Sequence, residues 1–344
     1  MIEKDIPEFF APSDILSEGD LLSREGELVE SGYAFAPVKR YVPGAVKRKS
    51  RVRERDCYYF GDDKHAVTLT VSRSAHASVA TVAVLDFVHL TKAVRRKVAP
   101  KSSAQMDSAD NDNVSFEHGG ICIAFDIEDG KRKLRCECKD IADKKDFECE
   151  ITLDPYEDDC ITTTAAFGKY EFFYGTRMTC FKGVGWYSLG GERVEFSREA
   201  RGELAWSRGV YPRKCVCYSA GLSTETDGKA LGLSLSKIIA DADVDENALF
   251  YAGKGSKLGK AKFEIAFTLG EPDYLKPWKI TDDDGRVGLM FYPMIEAYES
   301  THIGLNATRH KVFGKYYGKV TLDDGTIVDI ADTAGYAEHM ITRR

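Results

Sequence analysis

The 344-residue sequence contains no apolar run approaching the roughly 20 residues that a membrane-crossing helix needs, and sustained helical periodicity is hard to find anywhere along it. Helical bundles and membrane-spanning helices are thereby excluded. The common catalytic signatures are missing too. There is no His-Glu-x-x-His, no Gly-x-Ser-x-Gly elbow, no Gly-x-Gly-x-x-Gly between a strand and a helix, and no cluster of His and carboxylate ligands. Zincin, α/β-hydrolase and dinucleotide chemistry are set aside on that basis, and neither a cofactor nor a metal is expected. The glycine-rich stretch Gly253–Lys260 is not a phosphate loop: Lys254 stands where that motif needs its first glycine, and Ala261 where it needs Ser or Thr. It is expected to be a basic hairpin or loop. The opening residues Met1–Phe10 have acidic side chains and a proline in place of the basic start and apolar core of an export signal. A cytoplasmic location is the expectation.

Cysteine is plentiful at nine, but the number is odd and the chain is long, so reduced thiols are expected rather than a disulfide framework. Two Cys-x-Cys pairs, Cys136/Cys138 and Cys215/Cys217, raise the alternative of zinc. Each pair lies in an alternating, strand-like segment, where period two places both sulfurs on one face and free cysteine acts as a small apolar residue. The core role is preferred.

Length allows two cores of ordinary size. The composition, 43% hydrophobic, 30% charged and 11% aromatic with a net charge of −7, is that of a soluble globular protein. Residues 1–30 are acidic and aperiodic, a leader expected to pack only in part. Val38–Arg55 is a basic run broken by Pro43 and Gly44, but the chain as a whole is acidic and few aromatics interleave the run. No nucleic-acid partner is expected, since nonspecific binding requires many phosphate neutralisations on one face.

Strand-like segments follow in series: Ala66–Val71, Ser78–Leu90, Gly120–Glu128, Lys131–Cys138 and Phe147–Leu153. Within them Ile121, Ile123, Phe125 and Ile127 share one face before a turn at Asp129-Gly130. Lys92–Val114 is polar and broken by a proline, and is expected to be a long mobile loop. A second series begins after Gly168, with turns at Gly190-Gly191, Asp227-Gly228, Asp284-Gly285 and Asp324-Gly325. Strands with such regular turns predict an all-β fold of two antiparallel, barrel-like units in tandem with little helix, since closure removes exposed edges. The division expected is a leader at 1–30, one unit at 31–170 and another at 171–344, with the boundary near 168–180.

Four blocks carry a family resemblance: Glu246–Phe250 (E-N-A-L-F), Pro277–Ile280 (P-W-K-I), His310–Ile330, and Gly335–His339 (G-Y-A-E-H). With them the chain resembles a bacterial family of unknown function, numbered 2804 among such domains. The resemblance extends from about Arg51 onward and is specific over Trp206–His339. That family is in turn remotely similar to tandem lipocalin-like (calycin) proteins, a group with carotenoid hydratases of the hydroxyneurosporene synthase type, tocopherol cyclase and lipocalin-like Diels–Alder cyclases. The resemblance implies a barrel that encloses a ligand.

Candidate site residues come from these blocks. Leu204–Lys214 sets Trp206, Arg208 and Tyr211 around a Gly-Val-Tyr-Pro turn, aromatic area and a guanidinium suited to an amphipathic ligand; equally, Trp206 is a core plug with Arg208 stacked over it. Asn247 and Trp278 join the ligand-binding set. Glu246, Glu338 and His310 are the candidate acids and bases, with surface or structural roles as the alternatives. Trp206, Tyr211, Glu246 and His310 are expected to converge on one cavity of the C-terminal unit. The function expected is binding of a small apolar or amphipathic molecule in a barrel cavity. The alternative is a cofactor-independent hydratase, isomerase or cyclase acting on an isoprenoid or polyketide-like substrate, in which Glu246 or Glu338 protonates an alkene and Trp206 and Tyr211 face the cation. A third possibility is an interaction or envelope-associated module using the basic run near Arg48. The oligomeric state is not legible in the sequence.

Overall fold

A computed structural model describes residues 15–106, 113–154, 160–239, 245–301 and 306–343. Helix among them amounts to three short 3-10 turns, Pro43–Ala45, Lys49–Arg51 and Lys101–Ser103. No helix among the described residues is long and apolar enough to cross a membrane. Nearly everything else in regular structure belongs to two large antiparallel sheets, each curled into a half-barrel, that follow one another along the chain.

The first sheet runs from an edge at Thr91–Pro100 through Ala77–Asp86, His65–Ser74, Val52–Gly61, Arg201–Val210, Glu171–Leu189, Lys145–Asp154, Lys131–Ala142, Ile121–Glu128 and Val114–His118 to Ala104–Met106. Its two ends curl toward each other. Pro100 leads through Lys101–Ser103 straight into Ala104, and Arg95 on one edge donates to the carbonyls of Gly119 and Asp140 on the other side, 3.1 Å each. The second sheet runs from Lys254–Lys257 through Ala248–Tyr251, Lys229–Ile239, Lys214–Thr226, Ile327–Arg343, Asn306–Thr321, Val287–Thr301 and Trp278–Asp282 to Ala261–Glu264.

Period two assigns each residue to a face, and the register aligns the faces across strands. In the first sheet Leu204, Tyr58, Leu69 and Val82 are cross-strand partners in one buried row. The next row, Arg177, Ala205, Cys57, Thr70 and Thr81, points the other way. In the second sheet Leu235, Ala220, Ala337 and Val312 form an inner row of its own core. The row beside it, Ser236, Ser219, Glu338, Lys311 and Ala297, points away from that core.

These two outward rows face each other. Tyr59, Ala66, Leu85 and Phe87 pack on Ile295, Ala297, Phe313 and Tyr336, while Ala165, Phe167 and Phe173 pack on Cys215 and Ile238. At Gly232 the sheets come so close that a Cβ would stand 2.2 Å from Thr179 Oγ1 and 2.8 Å from Cys180 Sγ. The all-β tandem architecture is therefore as expected, with the two units joined broadside.

Three sequence expectations are amended. The change of sheet falls between Val210 and Lys214, later than 168–180, because Gly168 lies in the hairpin joining Cys160–Gly168 to Glu171–Leu189 inside the first sheet. Of the loop expected at Lys92–Val114, residues through Pro100 continue the edge strand. Arg95 and Lys97 occupy inner-face positions there, opposite Val82 and Ala80, and reach the seam, so apolar alternation does not announce the strand. Residues 107–112 lie outside the described ones. Within the leader, Leu16, Leu21 and Leu22 are buried; residues 1–14 lie outside the described ones. Nor does the basic run form a stripe: Lys39 pairs with Glu30, Arg51 lies 2.6 Å from Glu171, which also takes Arg48, and the strand beyond carries Arg53 and Arg55 to the second sheet.

Candidate functional site

Between the facing rows lies a cavity of about 390 Å³. Its apolar lining comes from both sheets, Val79, Val98 and Phe173 from the first and Ile238 and Met340 from the second, beside Tyr211. Charged side chains from both sheets form an ionic floor next to them. Glu246, 1% exposed at the start of the second sheet's Ala248–Tyr251 strand, accepts from Arg177 Nε at Oε2 (2.9 Å). Its Oε1 is buried without a hydrogen-bond partner among the described residues, and a Cβ on Gly175 would stand only 2.9 Å from it. Arg309 lies 3.3 Å from Glu338 Oε1 and 3.5 Å from Glu299 Oε2. Burial alone would raise the Glu338 pKa, but Arg309, Arg55, Lys311 and Arg177 outweigh it and hold the carboxyl at about 2.

Behind the floor a void of about 10 Å³ shares Arg55, Arg177, Ala205 and Glu338 with the cavity. Its other walls are Cys57, Tyr59, Glu203, Ser219, Lys311 and Tyr336. It has room for about one water molecule. Ser223 Oγ donates to Glu203 Oε1 at 2.9 Å. Burial pushes the Glu203 carboxyl up to about 7 despite that bond and the charges of Lys311 and Arg177. For Cys57, burial opposes ionisation, but Lys311, Arg55 and a bond from Thr70 Oγ1 prevail and lower the thiol below its ordinary value. By contrast, burial pushes Cys136, Cys138, Cys149, Cys215 and Cys217 up. No disulfide joins any of the nine cysteines, all of which lie among the described residues.

The sequence candidates divide among three places. Tyr211, Glu246 and Glu338 line the inter-sheet cavity, which Trp206 borders while its ring packs edge-on to Tyr174 at 4.8 Å in the first core. His310 does not: its neighbour Lys311 pairs with Glu338, so His310 and its own partner His339 point to the opposite side, into the second half-barrel. There His310 Nδ1 lies 2.6 Å from Glu296, its ring stacks on Tyr274 at 3.9 Å, and the Tyr274 hydroxyl is 2.7 Å from His339 Nδ1. Burial, then the nearby His310, lowers His339 to about 4. Arg208 is occupied inside the first core, ion-paired with Asp56 and 5.1 Å above the Trp206 ring, the stacked plug of the alternative description. Asn247 is a structural bridge, accepting from Ser236 N (2.7 Å) and donating to Gly259 O (2.8 Å). Trp278 is buried in the second core and donates to Tyr274 O. The four residues expected to converge in the C-terminal unit are thus spread out: Tyr211 and Glu246 border the cavity between the sheets, the Trp206 ring lies in the first core and His310 in the second half-barrel.

Sequence inspection missed Arg55, Arg177, Arg309, Lys311, Glu203 and Cys57. Charged residues at alternate strand positions read as a solvated face, and one chain's periodicity carries no sign that a second sheet covers that face.

Two solved structures share the architecture. Kievitone hydratase from Nectria haematococca is 9% identical with a TM-score of 0.51, covering 85% of this chain and 88% of its own. A protein designated a candidate AttH, from Nitrosomonas europaea, is 14% identical with a TM-score of 0.51, covering 85% of this chain and 92% of its own. At such identities the likeness shows the fold alone. Sequence comparison with curated proteins finds no match. The model of the domain of unknown function DUF2804 matches residues 13–343, nearly the whole described chain. The chain belongs to the DUF2804 family.

Proposed function

We propose that the protein binds a small amphipathic molecule in the cavity between its two sheets. The observation that carries this is the cavity itself: about 390 Å³, with apolar side chains from both sheets beside an ionic floor, within the size and character of small-molecule sites. The half-barrel interiors are filled by their own side chains, from Tyr58, Phe125 and Trp206 in the first to Trp278, Phe291 and Tyr316 in the second. This moves the ligand from a barrel lumen to the interface. Nine cysteines with no disulfide among them support a reducing, cytoplasmic setting. Native mass spectrometry of gently purified protein should retain a lipid-like mass, and Ala205→Phe, which fills the floor shared by both voids, should release it. Retention of the same mass by a folded Ala205→Phe protein would refute the site.

A second function, cofactor-independent acid–base catalysis on the same ligand, is supported by Glu246. Arg177 fixes one of its oxygens while the other, at the cavity edge, has no partner among the described residues, the arrangement a proton-transferring carboxyl needs. The fold shared with kievitone hydratase is consistent with addition or loss of water. Incubating the recovered ligand with protein in ¹⁸O-water tests it: label should enter with the native chain and not with Glu246→Gln, whose affinity should be preserved. Equal labelling by both proteins would exclude Glu246 from catalysis, and no labelling by the native chain would exclude water addition.

A further inference from the structure

Among the described residues, seven cationic side chains and five carboxyl groups line the two connected voids. The carboxylates are already engaged: Glu54 with Arg73, Glu246 with Arg177, and Glu299 and Glu338 both with Arg309. Glu203, whose pKa lies near neutrality, brings less than a full negative charge. Of the two cations placed in both voids, Arg177 is held by Glu246, whereas Arg55 has its Nε buried without a hydrogen-bond partner among the described residues. Guanidinium groups withdrawn from water are stabilised by an anion that accepts their hydrogen bonds. An anionic ligand group is the natural complement, with its apolar remainder against Val79, Val98, Phe173 and Met340 of the two sheets.

We propose that the ligand is an ionised apolar carboxylic acid whose carboxylate meets Arg55 on the cavity floor, an assignment that rests on the binding function proposed above. Arg55 selects the head group, and the apolar lining contributes affinity common to any chain of suitable size. Cationic amphiphiles are rejected because they add to the surplus.

Calorimetric titration of the full chain at about pH 7.5 with dodecanoate, dodecanol and dodecylammonium, each kept below its micellar concentration, separates head group from chain. Dodecanoate should bind about ten- to a hundredfold more tightly than dodecanol, as expected for one charge-assisted interaction, and dodecylammonium most weakly. Arg55→Gln should bring dodecanoate to the dodecanol level and leave dodecanol unchanged. Arg55→Lys, which keeps the charge without the planar fork, should fall between. If dodecanol binds the native chain as tightly as dodecanoate, the acid assignment fails and the binding function stands. If none of the three binds, or if folded Ala205→Phe binds them unchanged, the binding function itself fails. A folded Arg55→Gln protein that keeps the full preference for dodecanoate would overturn the assignment to Arg55. Should Arg55→Gln not fold, the ranking in the native chain and in Arg55→Lys still decides.

Discussion

Replacing Glu203 by glutamine should stabilise the protein at alkaline pH and do little at acidic pH. The carboxyl is buried between the sheets, and its pKa rises from 4.5 to about 7 on folding, chiefly through loss of water. In the unfolded chain it deprotonates near its ordinary value, whereas the folded protein holds the proton through that range. Between those two values the folded state binds more protons than the unfolded one, so stability falls as pH rises. The contribution is fully present below about 4.5 and is lost as pH rises through about 7. The rise from 4.5 to about 7, at about 1.4 kcal/mol per pH unit, corresponds to about 3 kcal/mol by pH 8 and to under about 1 kcal/mol at pH 5. Glutamine keeps the size and can still accept from Ser223 Oγ, but has no charge to desolvate. Urea denaturation of both proteins across this range measures the difference, and the comparison cancels every other titrating group. Parallel pH profiles for the two proteins would refute the buried, proton-holding description of Glu203.

The Gly232→Ala protein should be less stable by about 1–3 kcal/mol, the usual effect of overpacking, because its new methyl would press on Thr179 and Cys180 of the other sheet; an unchanged urea midpoint would mean that the sheets do not meet there. His339, held at about 4 by burial and His310, should keep a neutral ring from about pH 7 to pH 5 in imidazole nitrogen spectra. Its stabilising effect is complete above about 6.5 and is lost as pH falls through about 4, so a titration midpoint above 6 would contradict its packing against Tyr218 and Tyr274. A thiol reagent under native conditions should react first at Cys122, the exposed cysteine, and only denaturation should release all nine; a native count near nine would contradict the burial of the others.

Within each strand the sequence was informative about which residues share a face. The hairpin at Asp129-Gly130 pairs Phe125 with Leu134 and Ile123 with Cys136, as the alternation of that segment requires. At Asp227-Gly228 both central residues have positive φ, the conformation that Asp-Gly supplies at low steric cost. Where periodicity failed, other forces acted. Arg95 and Lys97 stand on an inner face because the curled seam gives them partners, a situation that local hydrophobicity does not record.

By itself the sequence determined the strands, their turns and the antiparallel all-β class, because these rest on contacts between near neighbours and on composition. It also pointed to Trp206, Tyr211, Glu246 and Glu338 through the blocks that resemble the family. Only the tertiary structure decided that His310 turns its back on Glu338, and that Arg55, Arg177 and Lys311 lie in a closed interface instead of in water. The physical reason is that strand alternation names two faces without saying what covers either. The covering is made by residues far apart in the chain, such as Arg177 and Glu246 or Cys57 and Lys311, and burial of their charges arises only when the two sheets close on each other.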